Sequence, residues 1–394
     1  MLPAVSSAGP SSAPDVVVVG GGIVGTSAAA FLAEAGLAVT ILERAGVAAG
    51  ASGRNSGVVQ HPFDPALRSI HLDTVDAYRE LAADAVLDFQ LPAEPAGLLL
   101  VAFGTAGPRR AAGDLAALWP DFEPEYVGPD DLRRLEAGLA PGLAACRLRI
   151  GLPVPPAAAT RAFARLAERR GARVEVGRAV AGLTRAGARA TGVRLSDGTT
   201  IPAGAVLVAA GPWSPELLDP GGRWRPIRPN WGVVVDVGLA DPPGHVLEEA
   251  EMDEALGDIA GSAPAADLDA PDGRPEFSLV TAAGRSSLGS TFLDREPDPE
   301  AWVPRLVAHG RRFVPALGEA SIGPVRACAR PLAVDGRPLL GAMPGLPGAF
   351  IAAGHGPWGI STGPGSAHLV VEAILDHGPT IPAELDVARF GPIG

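Results

Sequence analysis

The chain has 394 residues, 47% of them apolar and 19% charged, and its net charge is −12. This length indicates roughly two or three domains that can bury a large core. The acidic balance disfavours binding to nucleic acid or to an anionic membrane surface. The 32 Lys or Arg residues are all arginine, which excludes a lysine Schiff base, a phosphate-loop lysine and a lysine general base.

The two cysteines, Cys146 and Cys328, lie far apart and have neither disulfide-framework nor zinc-site spacing. We therefore expect no metal site and a reducing, cytoplasmic location. Residues 1–13 lack the features of a signal peptide and are expected to form a flexible tail. The apolar run at 16–19 is too short to span a bilayer, so no integral membrane segment is expected.

A strand–helix–strand unit begins the predicted fold. The stretch DVVVVGGGIVG predicts a buried parallel strand and a glycine turn, which are followed by a helix ending at Gly36 and a second strand ending on Glu43. Gly20, Gly22 and Gly25 have the spacing that lets the backbone touch a pyrophosphate at a helix N-terminus. Glu43 is placed to accept ribose hydroxyls. The unit therefore predicts dinucleotide binding.

The remaining elements follow in chain order. They are a glycine-rich loop over 46–57, a helix within 65–90, short irregular structure over 91–150, a helix over 156–171, an antiparallel meander over 172–211, strands within 231–237, 276–282 and 285–293, a strand beginning at 325, a strand over 349–354 and a last helix over 366–375. Pro364 suits the first helical position of that last helix. The acidic run over 245–258 predicts a solvated face, with attraction of a cationic substrate as the alternative.

Three further glycine-rich stretches decide between the two common dinucleotides. GASGRNSG, just after Glu43, adds backbone amides and small side chains near the same phosphates. VLVAAGPWS adds a strand that ends in small residues, and AAGHGPWGISTGPG adds a late loop that opens a helix. A bound NAD needs none of these, whereas a long, buried FAD does. The positive end of the late helix can face the flavin pyrimidine. We therefore expect FAD as the cofactor.

Together with RPLAVDGRP at 330–338, these motifs resemble the D-amino-acid oxidase superfamily of FAD enzymes, which includes glycine oxidase, sarcosine oxidase and D-amino-acid dehydrogenase. The resemblance covers the N-terminal 60 residues, about 150–215 and 325–380. It implies an α/β fold, in which a Rossmann-type FAD-binding domain carries an α+β substrate domain with an antiparallel sheet. The implied limits are 14–85, 150–225 and 325–394 for the FAD-binding domain, and 86–149 and 226–324 for the substrate domain.

The cofactor is expected to contact residues from each of these motifs. Cys328 is among them because the resemblance to sarcosine-oxidase-like proteins places covalent FAD on that position. The expected cofactor-binding residues are Gly20, Gly22, Ile23, Val24, Gly25, Glu43, Arg44, Ala51, Ser52, Arg54, Asn55, Ser56, Gly57, Val180, Ala210, Gly211, Trp213, Cys328, Gly354, His355, Gly356, Trp358, Gly359, Ile360 and Ser361.

Arg330 is the expected substrate anchor. In a strand, Arg326, Cys328 and Arg330 share one face. The resemblance to glycine oxidase implies that Arg330 binds the substrate carboxylate, for which a planar guanidinium is suited; a structural ion pair is the alternative. Cys328 is either a tether for FAD, if nearby arginines lower its pKa, or a small packing residue. Trp358 and Trp231 are expected to bind substrate as walls of the pocket.

Two histidines complete the predicted catalytic set. His61 falls where the sarcosine-oxidase family has a histidine beside the flavin, and His355 begins the late loop. Each could take a proton near neutral pH or make structural hydrogen bonds. Ser287 and Trp358 stand where sarcosine oxidase has lysines for oxygen activation and substrate binding, so fast reaction with O2 and a sarcosine-like substrate are in doubt.

The resemblance and these residues predict an FAD-dependent oxidoreductase that oxidises the C–N bond of an amino acid or secondary amine to an imine by hydride transfer to flavin N5. O2 or another acceptor would take the electrons. One alternative keeps the fold and oxidises a 2-hydroxy acid or alcohol to a carbonyl, with His61 or His355 as the base. Another alternative is a non-catalytic FAD-binding assembly protein. The sequence sets no oligomeric state.

Overall fold

The computed structural model describes residues 13–250, 273–377 and 381–393. The predicted tail, apart from its last residue, lies outside the described residues, and so does 251–272, which includes the end of the acidic run. Within the described ranges, no helix has both the length and the apolar character needed to cross a membrane.

The described ranges contain nineteen strands and nine α-helices. The strands are β1 (Val16–Val19), β2 (Val39–Glu43), β3 (Val58–Val59), β4 (Leu98–Phe103), β5 (Glu125–Val127), β6 (Leu143–Leu148), β7 (Leu152–Pro153), β8 (Arg173–Val176), β9 (Val180–Ala186), β10 (Arg189–Leu195), β11 (Thr200–Pro202), β12 (Ala205–Val208), β13 (Ile227–Gly238), β14 (Val246–Glu249), β15 (Ser278–Ala282), β16 (Arg285–Gly289), β17 (Ser321–Ala333), β18 (Leu339–Ala342) and β19 (Ala349–Ala353). The helices are α1 (Ile23–Glu34), α2 (Ala51–Arg54), α3 (Arg68–Ala83), α4 (Ala106–Leu118), α5 (Pro129–Leu135), α6 (Ala158–Arg169), α7 (Ser214–Leu218), α8 (Pro299–Gly310) and α9 (Gly359–Leu375).

The first sheet has six strands in the order β18–β19–β12–β1–β2–β8, all parallel to their neighbours except β18. Both faces are covered, which explains why β1 is apolar throughout. Val16 and Val18 pack with residues of helices α1, α3, α6 and α9, whereas Val17 and Val19 pack with residues of the antiparallel meander β9–β11. The predicted strand–helix–strand unit and the predicted meander are both confirmed.

The second sheet has eight strands in the order β17–β13–β16–β15–β14–β4–β6–β5. Its neighbours are antiparallel apart from β14 and β4. One face carries Val233, Val235 and Leu288, which pack with apolar residues of α8. The opposite face includes Arg330 and Gly232 and turns toward the first sheet. The mixed α/β architecture agrees with the predicted fold class.

The structure corrects the interpretation of 91–150 as short irregular structure. This region contains β4, β5, β6, α4 and α5, and β4 pairs with both β6 and β14 inside the second sheet. Its strand Leu98–Phe103 is mostly buried on both faces, so it lacks the alternation that identifies a half-exposed strand. The strand β17 also crosses the predicted domain limit at 325. The two-domain division stays a proposal, with its limit moved to follow Ala333.

The last helix begins at Gly359, earlier than predicted, and Pro364 lies inside it. A proline there has no N–H for the carbonyl of Ile360. Instead, the buried Tyr78 hydroxyl of α3 donates to that carbonyl at 2.7 Å. His71 Nδ1 lies 2.9 Å from the carbonyl of Ser361, where the protonated ring nitrogen donates. Helix α3 therefore supplies the hydrogen bond that Pro364 cannot make to Ile360, and a further one to Ser361.

We expect Gly365→Ala to destabilise the protein. A Cβ at Gly365 would lie 2.2 Å from the backbone oxygen of Ile70, so α3 and α9 would have to move apart. Such overpacking lowers the free energy of unfolding by about 1–3 kcal/mol. The matched control is Gly113→Ala in α4, an exposed position with no atom within 4 Å of the new Cβ, which should stabilise by up to about 1 kcal/mol. Urea unfolding curves measure both, and equal midpoints for G365A and wild type would contradict the prediction.

Candidate active site

A cavity of about 780 Å³ lies between the two sheets. It runs from the turn between β1 and α1, past α2 and the ends of β12 and β19, to the inner face of β13–β17. Predicted site residues that line it are Gly20, Gly22, Ile23, Val24, Glu43, Arg44, Ala51, Ser52, Arg54, Asn55, Ser56, Gly57, Val180, Ala210, Gly211, Trp213, Trp231, Cys328, Arg330, His355, Gly356, Trp358, Gly359, Ile360 and Ser361. Gly25, Gly354 and His61 do not line it.

Close backbone packing shapes the dinucleotide end of the cavity. Gly20 has φ +116°, and a Cβ there would lie 2.5 Å from the carbonyl oxygen of Ala209. A Cβ at Gly25 would lie 2.0 Å from the carbonyl oxygen of Gly20. Gly25 therefore serves the tightness of the turn rather than the cavity wall. Only glycine at these two positions lets β1, β12 and α1 come together at this point.

Glu43 is fixed at the edge of this turn. Its Oε2 accepts from the Gly21 N–H at 2.7 Å, and its Oε1 accepts from the Ala45 N–H at 2.8 Å. The carboxylate thus lies at the carboxyl end of β2, where a ribose would meet it. Across the same end of the cavity, the Arg44 guanidinium lies 3.8 Å from the centre of the Trp213 ring.

Two helices begin at the cavity. Gly22, Ile23 and Val24 line it at the start of α1, and Gly359 and neighbouring residues line it at the start of α9. Their positive ends suit the two groups of FAD that carry or gain negative charge, the pyrophosphate and the flavin pyrimidine. A single long cavity that joins both helix ends fits an extended FAD.

Helix α2 connects the dinucleotide end to the second sheet. Ser52 Oγ accepts from the Ile23 N–H at 3.0 Å, and the Asn55 side chain accepts from the Gly57 N–H at 2.8 Å. Arg54 donates to the carbonyl of Ala327 in β17 at 3.0 Å. The predicted glycine-rich loop is therefore held in place on both sides of the cavity.

Arg330 lies deep in the protein on the cavity wall. It donates to the Thr291 carbonyl at 2.8 Å and to Ser290 Oγ at 2.6 Å, with a longer contact of 3.4 Å to Asn230 Oδ1. Its guanidinium lies over Gly232, where a Cβ would come within 2.3 Å of it. These neutral partners orient the guanidinium. Among the residues that the structure describes, no carboxylate forms an ion pair with Arg330, although burial lowers its pKa.

Arg326 contrasts with Arg330 on the same face of β17. It is bound to Asp236 at 2.5 Å and donates to Ser287 Oγ at 3.0 Å. Ser287 in turn donates to Asp236 at 3.2 Å. Arg326 is thus a structural ion pair, and it lies beside a separate cavity of about 450 Å³. Of the two arginines, only Arg326 forms an ion pair among the residues that the structure describes.

The two predicted catalytic histidines occupy different places. His355 lines the cavity, is buried, and its Nε2 has no hydrogen-bond partner among the described residues. Burial lowers the pKa of His355 to about 4, so it is neutral at neutral pH. The His61 ring instead packs against Phe122 and Trp119. Its neighbour Gln60 lines the cavity in its place.

Cys328 lines the cavity but is only 6% exposed. Burial raises the pKa of its thiol, and this effect exceeds the lowering by Arg330, Arg54 and Arg326. The thiolate that attacks a flavin is therefore disfavoured at neutral pH.

The cavity also contains residues that the sequence analysis did not select. Phe292 lies 4.5 Å from Arg330, measured from its ring centre to the guanidinium carbon. Gln60, Glu248, Ser278 and Ser290 also line the wall. Glu248 belongs to the acidic run that was interpreted as a solvated face, yet it is only 8% exposed. The interpretation as a solvated face is therefore wrong for this one residue, and the contact with a cationic substrate stays a prediction.

We expect FAD to be held without a bond to Cys328. Denaturing the holoprotein should release all of the flavin and leave the intact mass of the bare polypeptide. A mass increase that Cys328→Ser abolishes and Cys146→Ser preserves would contradict this expectation. The second variant is the matched control, because Cys146 is also buried but lies in β6, away from the cavity wall.

Comparison with known proteins places the chain among flavoenzymes. A family model described as "FAD dependent oxidoreductase" matches residues 15–373. A D-amino acid dehydrogenase from Rhizorhabdus wittichii is 26% identical, over 95% of this chain and 100% of its own length. A glycine oxidase from Bacillus licheniformis is 25% identical, over 92% of this chain and 93% of its own.

Solved structures show the same fold. A glycine oxidase from Bacillus cereus has a TM-score of 0.76 and 23% identity, covering 92% of this chain and 95% of its own. An iminodiacetate oxidase from Chelativorans sp. has a TM-score of 0.75 and 23% identity, covering 96% of this chain and 98% of its own.

Proposed function

Because the chain belongs to the family of FAD-dependent oxidoreductases, we propose that it oxidises the C–N bond of an amino acid or secondary amine to an imine. Family membership confirms the predictions of an FAD cofactor and of an oxidoreductase, and it argues against a non-catalytic role. The names of the relatives support the substrate class, since they include a D-amino acid dehydrogenase and a glycine oxidase.

One observation carries the proposal: Arg330 presents a cation to the cavity without a carboxylate partner among the described residues. A guanidinium removed from water is costly unless a ligand compensates its charge. A substrate carboxylate does this with two parallel hydrogen bonds. Ser290 and Thr291 hold the guanidinium in one orientation, so the bound carboxylate would fix the position of the α-carbon.

Bound FAD supplies a two-electron acceptor that takes a hydride from the substrate carbon. The residues of the chain do the positioning on which such a transfer depends. Arg330 would hold the carboxylate, Trp358 and Trp231 would limit the space around the α-carbon, and the start of α9 would face the flavin pyrimidine. The amine must be neutral when the hydride leaves, because its lone pair becomes the new C=N bond.

The cavity wall also offers such an amine an uncharged hydrogen-bond acceptor. His355 is uncharged at neutral pH and can accept a hydrogen bond through its buried Nε2. The oxidised substrate then carries a C=N bond, which water hydrolyses to a carbonyl compound and a free amine. O2 or another acceptor takes the two electrons in the second half of the cycle.

The reaction can be tested by anaerobic reduction of the flavin. The holoprotein would be mixed with D- and L-amino acids, N-methyl amines and 2-hydroxy acids, and its absorbance followed. Bleaching by an amine or amino acid, with release of the carbonyl product, is the expected result. A flavin that no amine or amino acid reduces would refute the proposal.

Arg330→Met should lower kcat/KM for the best amino acid roughly 100-fold or more, because losing one partner of a desolvated charge pair costs about 2–5 kcal/mol. Flavin content should match that of wild type. The free energy of unfolding should stay within about 1 kcal/mol of wild type, because the cost of burying the Arg330 cation offsets the stabilisation from its hydrogen bonds. Arg228→Met is the matched control, because that arginine forms an exposed pair with Asp294. If Arg330→Met unfolds the protein and leaves kcat/KM intact in the folded fraction, the arginine is structural.

Oxidation of a 2-hydroxy acid is a second candidate, favoured by the buried Nε2 of His355, which has no hydrogen-bond partner among the described residues. A hydroxyl must lose its proton as the hydride leaves, and a neutral imidazole on the cavity wall can accept it. The amine reaction needs no such base.

His355→Gln separates these two reactions. If the substrate is a 2-hydroxy acid, the variant should lose roughly 10²–10⁴-fold in kcat. The wild-type kcat/KM should stay constant above about pH 5 and fall at lower pH, because a pKa of about 4 protonates the base there. If the substrate is an amine, near-full turnover should remain in the variant. Rates measured from pH 4 to 8 distinguish the outcomes.

A further inference from the structure

Three consecutive residues, Ser290, Thr291 and Phe292, contact Arg330 on the cavity wall. Nη2 of Arg330 donates to Ser290 Oγ at 2.6 Å, and its Nη1 donates to the Thr291 carbonyl at 2.8 Å. The guanidinium lies over the Phe292 ring, with 4.5 Å between the ring centre and the guanidinium carbon. Ser290 and Phe292 line the same cavity as Arg330. One short segment therefore provides two hydrogen-bond acceptors and an aromatic face for this cation.

The segment is itself fixed by hydrogen bonds to the backbone around it. The Ser290 N–H donates to the Glu276 carbonyl at 2.5 Å, and the Glu276 N–H donates to the Ser290 carbonyl at 2.9 Å. Thr291 Oγ1 accepts from the Val233 N–H at 3.0 Å and donates to the Trp231 carbonyl at 3.3 Å. The partners of Arg330 are thus held in place independently of Arg330.

The two acceptors occupy one side of the guanidinium. Ser290 Oγ lies 3.4 Å from the Thr291 carbonyl oxygen, so the two oxygens together meet the Nη1–Nη2 end of Arg330. Nη1 has a second, longer contact of 3.4 Å with Asn230 Oδ1. A guanidinium has five N–H donors in a planar fork. The remaining two, the Nε–H and the second Nη2–H, share the other edge, and no acceptor for them is found among the described residues.

The plane of the guanidinium is also confined. The Phe292 ring lies against it, and so does the backbone of Gly232, where a Cβ would come within 2.5 Å of both terminal nitrogens. Rotation of the guanidinium out of its plane would bring its nitrogens into contact with the ring or with this backbone. The ring also attracts the cation through its π electrons, and this attraction is stronger when water is excluded.

We propose that Phe292 and Ser290 are positioning residues, which hold Arg330 so that the substrate carboxylate binds side-on, to Nε and Nη2. This inference rests on the proposed function, in which Arg330 binds that carboxylate. A carboxylate that makes two parallel hydrogen bonds lies in the plane of the guanidinium. The Phe292 ring therefore determines that plane, and the occupied Nη1–Nη2 end determines the edge. Together they would direct the α-carbon to one place in the cavity.

The first test measures carboxylate binding without turnover. The holoprotein would be titrated with butanoate and with butanamide, a neutral ligand of nearly the same shape, and flavin absorbance or calorimetry would report Kd. We expect wild-type protein to bind butanoate at least 10-fold more tightly, because only the carboxylate forms a charge-assisted pair with Arg330. Equal Kd values for the two ligands would overturn the proposal, and this outcome needs no variant.

Phe292→Leu removes the ring and keeps an apolar wall. It should weaken butanoate binding roughly 3–30-fold and leave butanamide within about 2-fold, whereas Phe292→Tyr, which keeps the ring, should bind butanoate like wild type. Phe390→Leu is the matched control, because the Phe390 ring lies 4.6 Å from the Arg389 guanidinium carbon and is not on the cavity wall. An unchanged butanoate Kd in F292L, an equal loss of both ligands, or an equal loss in F292Y would each overturn the role of the ring.

Ser290→Ala tests which edge of Arg330 the carboxylate uses. If butanoate binds to Nε and Nη2, loss of the Ser290 acceptor loosens the guanidinium and should weaken butanoate roughly 2–10-fold. If butanoate instead displaces Ser290 from Nη2, S290A should bind it as tightly as wild type or more tightly, which overturns the side-on assignment. Ser286→Ala is the matched control, since Ser286 is also buried and its hydroxyl pairs with Thr281, away from the cavity wall. It should leave both Kd values unchanged.

Turnover separates this proposal from the proposed function. With the best amino acid, F292L should raise KM roughly 3–30-fold and keep kcat within about 3-fold, and F390L should match wild type. Amino-acid oxidation with a KM that F292L leaves unchanged would refute the positioning role and leave the proposed function in place. A preference for butanoate over butanamide that F292L reduces, in a protein that oxidises no amino acid, would refute the proposed function alone.

Discussion

The close approach of β1, β12 and α1 at Gly20 is the constraint on which the site depends. Only a residue without a Cβ fits between the Ala209 carbonyl and the start of the helix. This contact directs the positive end of α1 into the space between the two sheets, and the start of α9 meets the same space from the other side. Two helix N-termini therefore border one end of the cavity, and Arg330 lies at the end where we propose that the substrate binds.

Charged side chains are spaced across the second sheet. Arg330 reaches over Gly232 from the edge strand β17, and Glu248 faces inward from β14. Ser290 and Thr291 are neutral hydrogen-bond partners that fix the orientation of Arg330. Neutral partners orient a charge without cancelling it, so an oppositely charged ligand gains the full interaction. The second sheet thus presents an oriented cation to the cavity, which suits the carboxylate of the proposed substrate.

Much of the fold and cofactor site follows from sequence, because both use local patterns. The glycine spacing after β1, the acid at Glu43 and the late loop before α9 each identify a short piece of backbone. The remaining features depend on which side of a strand faces the cavity. His61 and Gln60 are adjacent, and so are Glu248 and Glu249, yet in each pair only one lines the cavity. An alternation of one residue cannot be assigned before the strand pairing is known.

The interruption of α9 at Pro364 has a mechanical consequence. Ile360 and Ser361 line the cavity, and their carbonyls are bound by Tyr78 and His71 of α3. The cavity-facing end of α9 is therefore held by hydrogen bonds from α3, and no described residue of α3 lines the cavity. A displacement of α3 is transmitted to the floor of the site through two hydrogen bonds, so residues remote from the cavity share control of its shape.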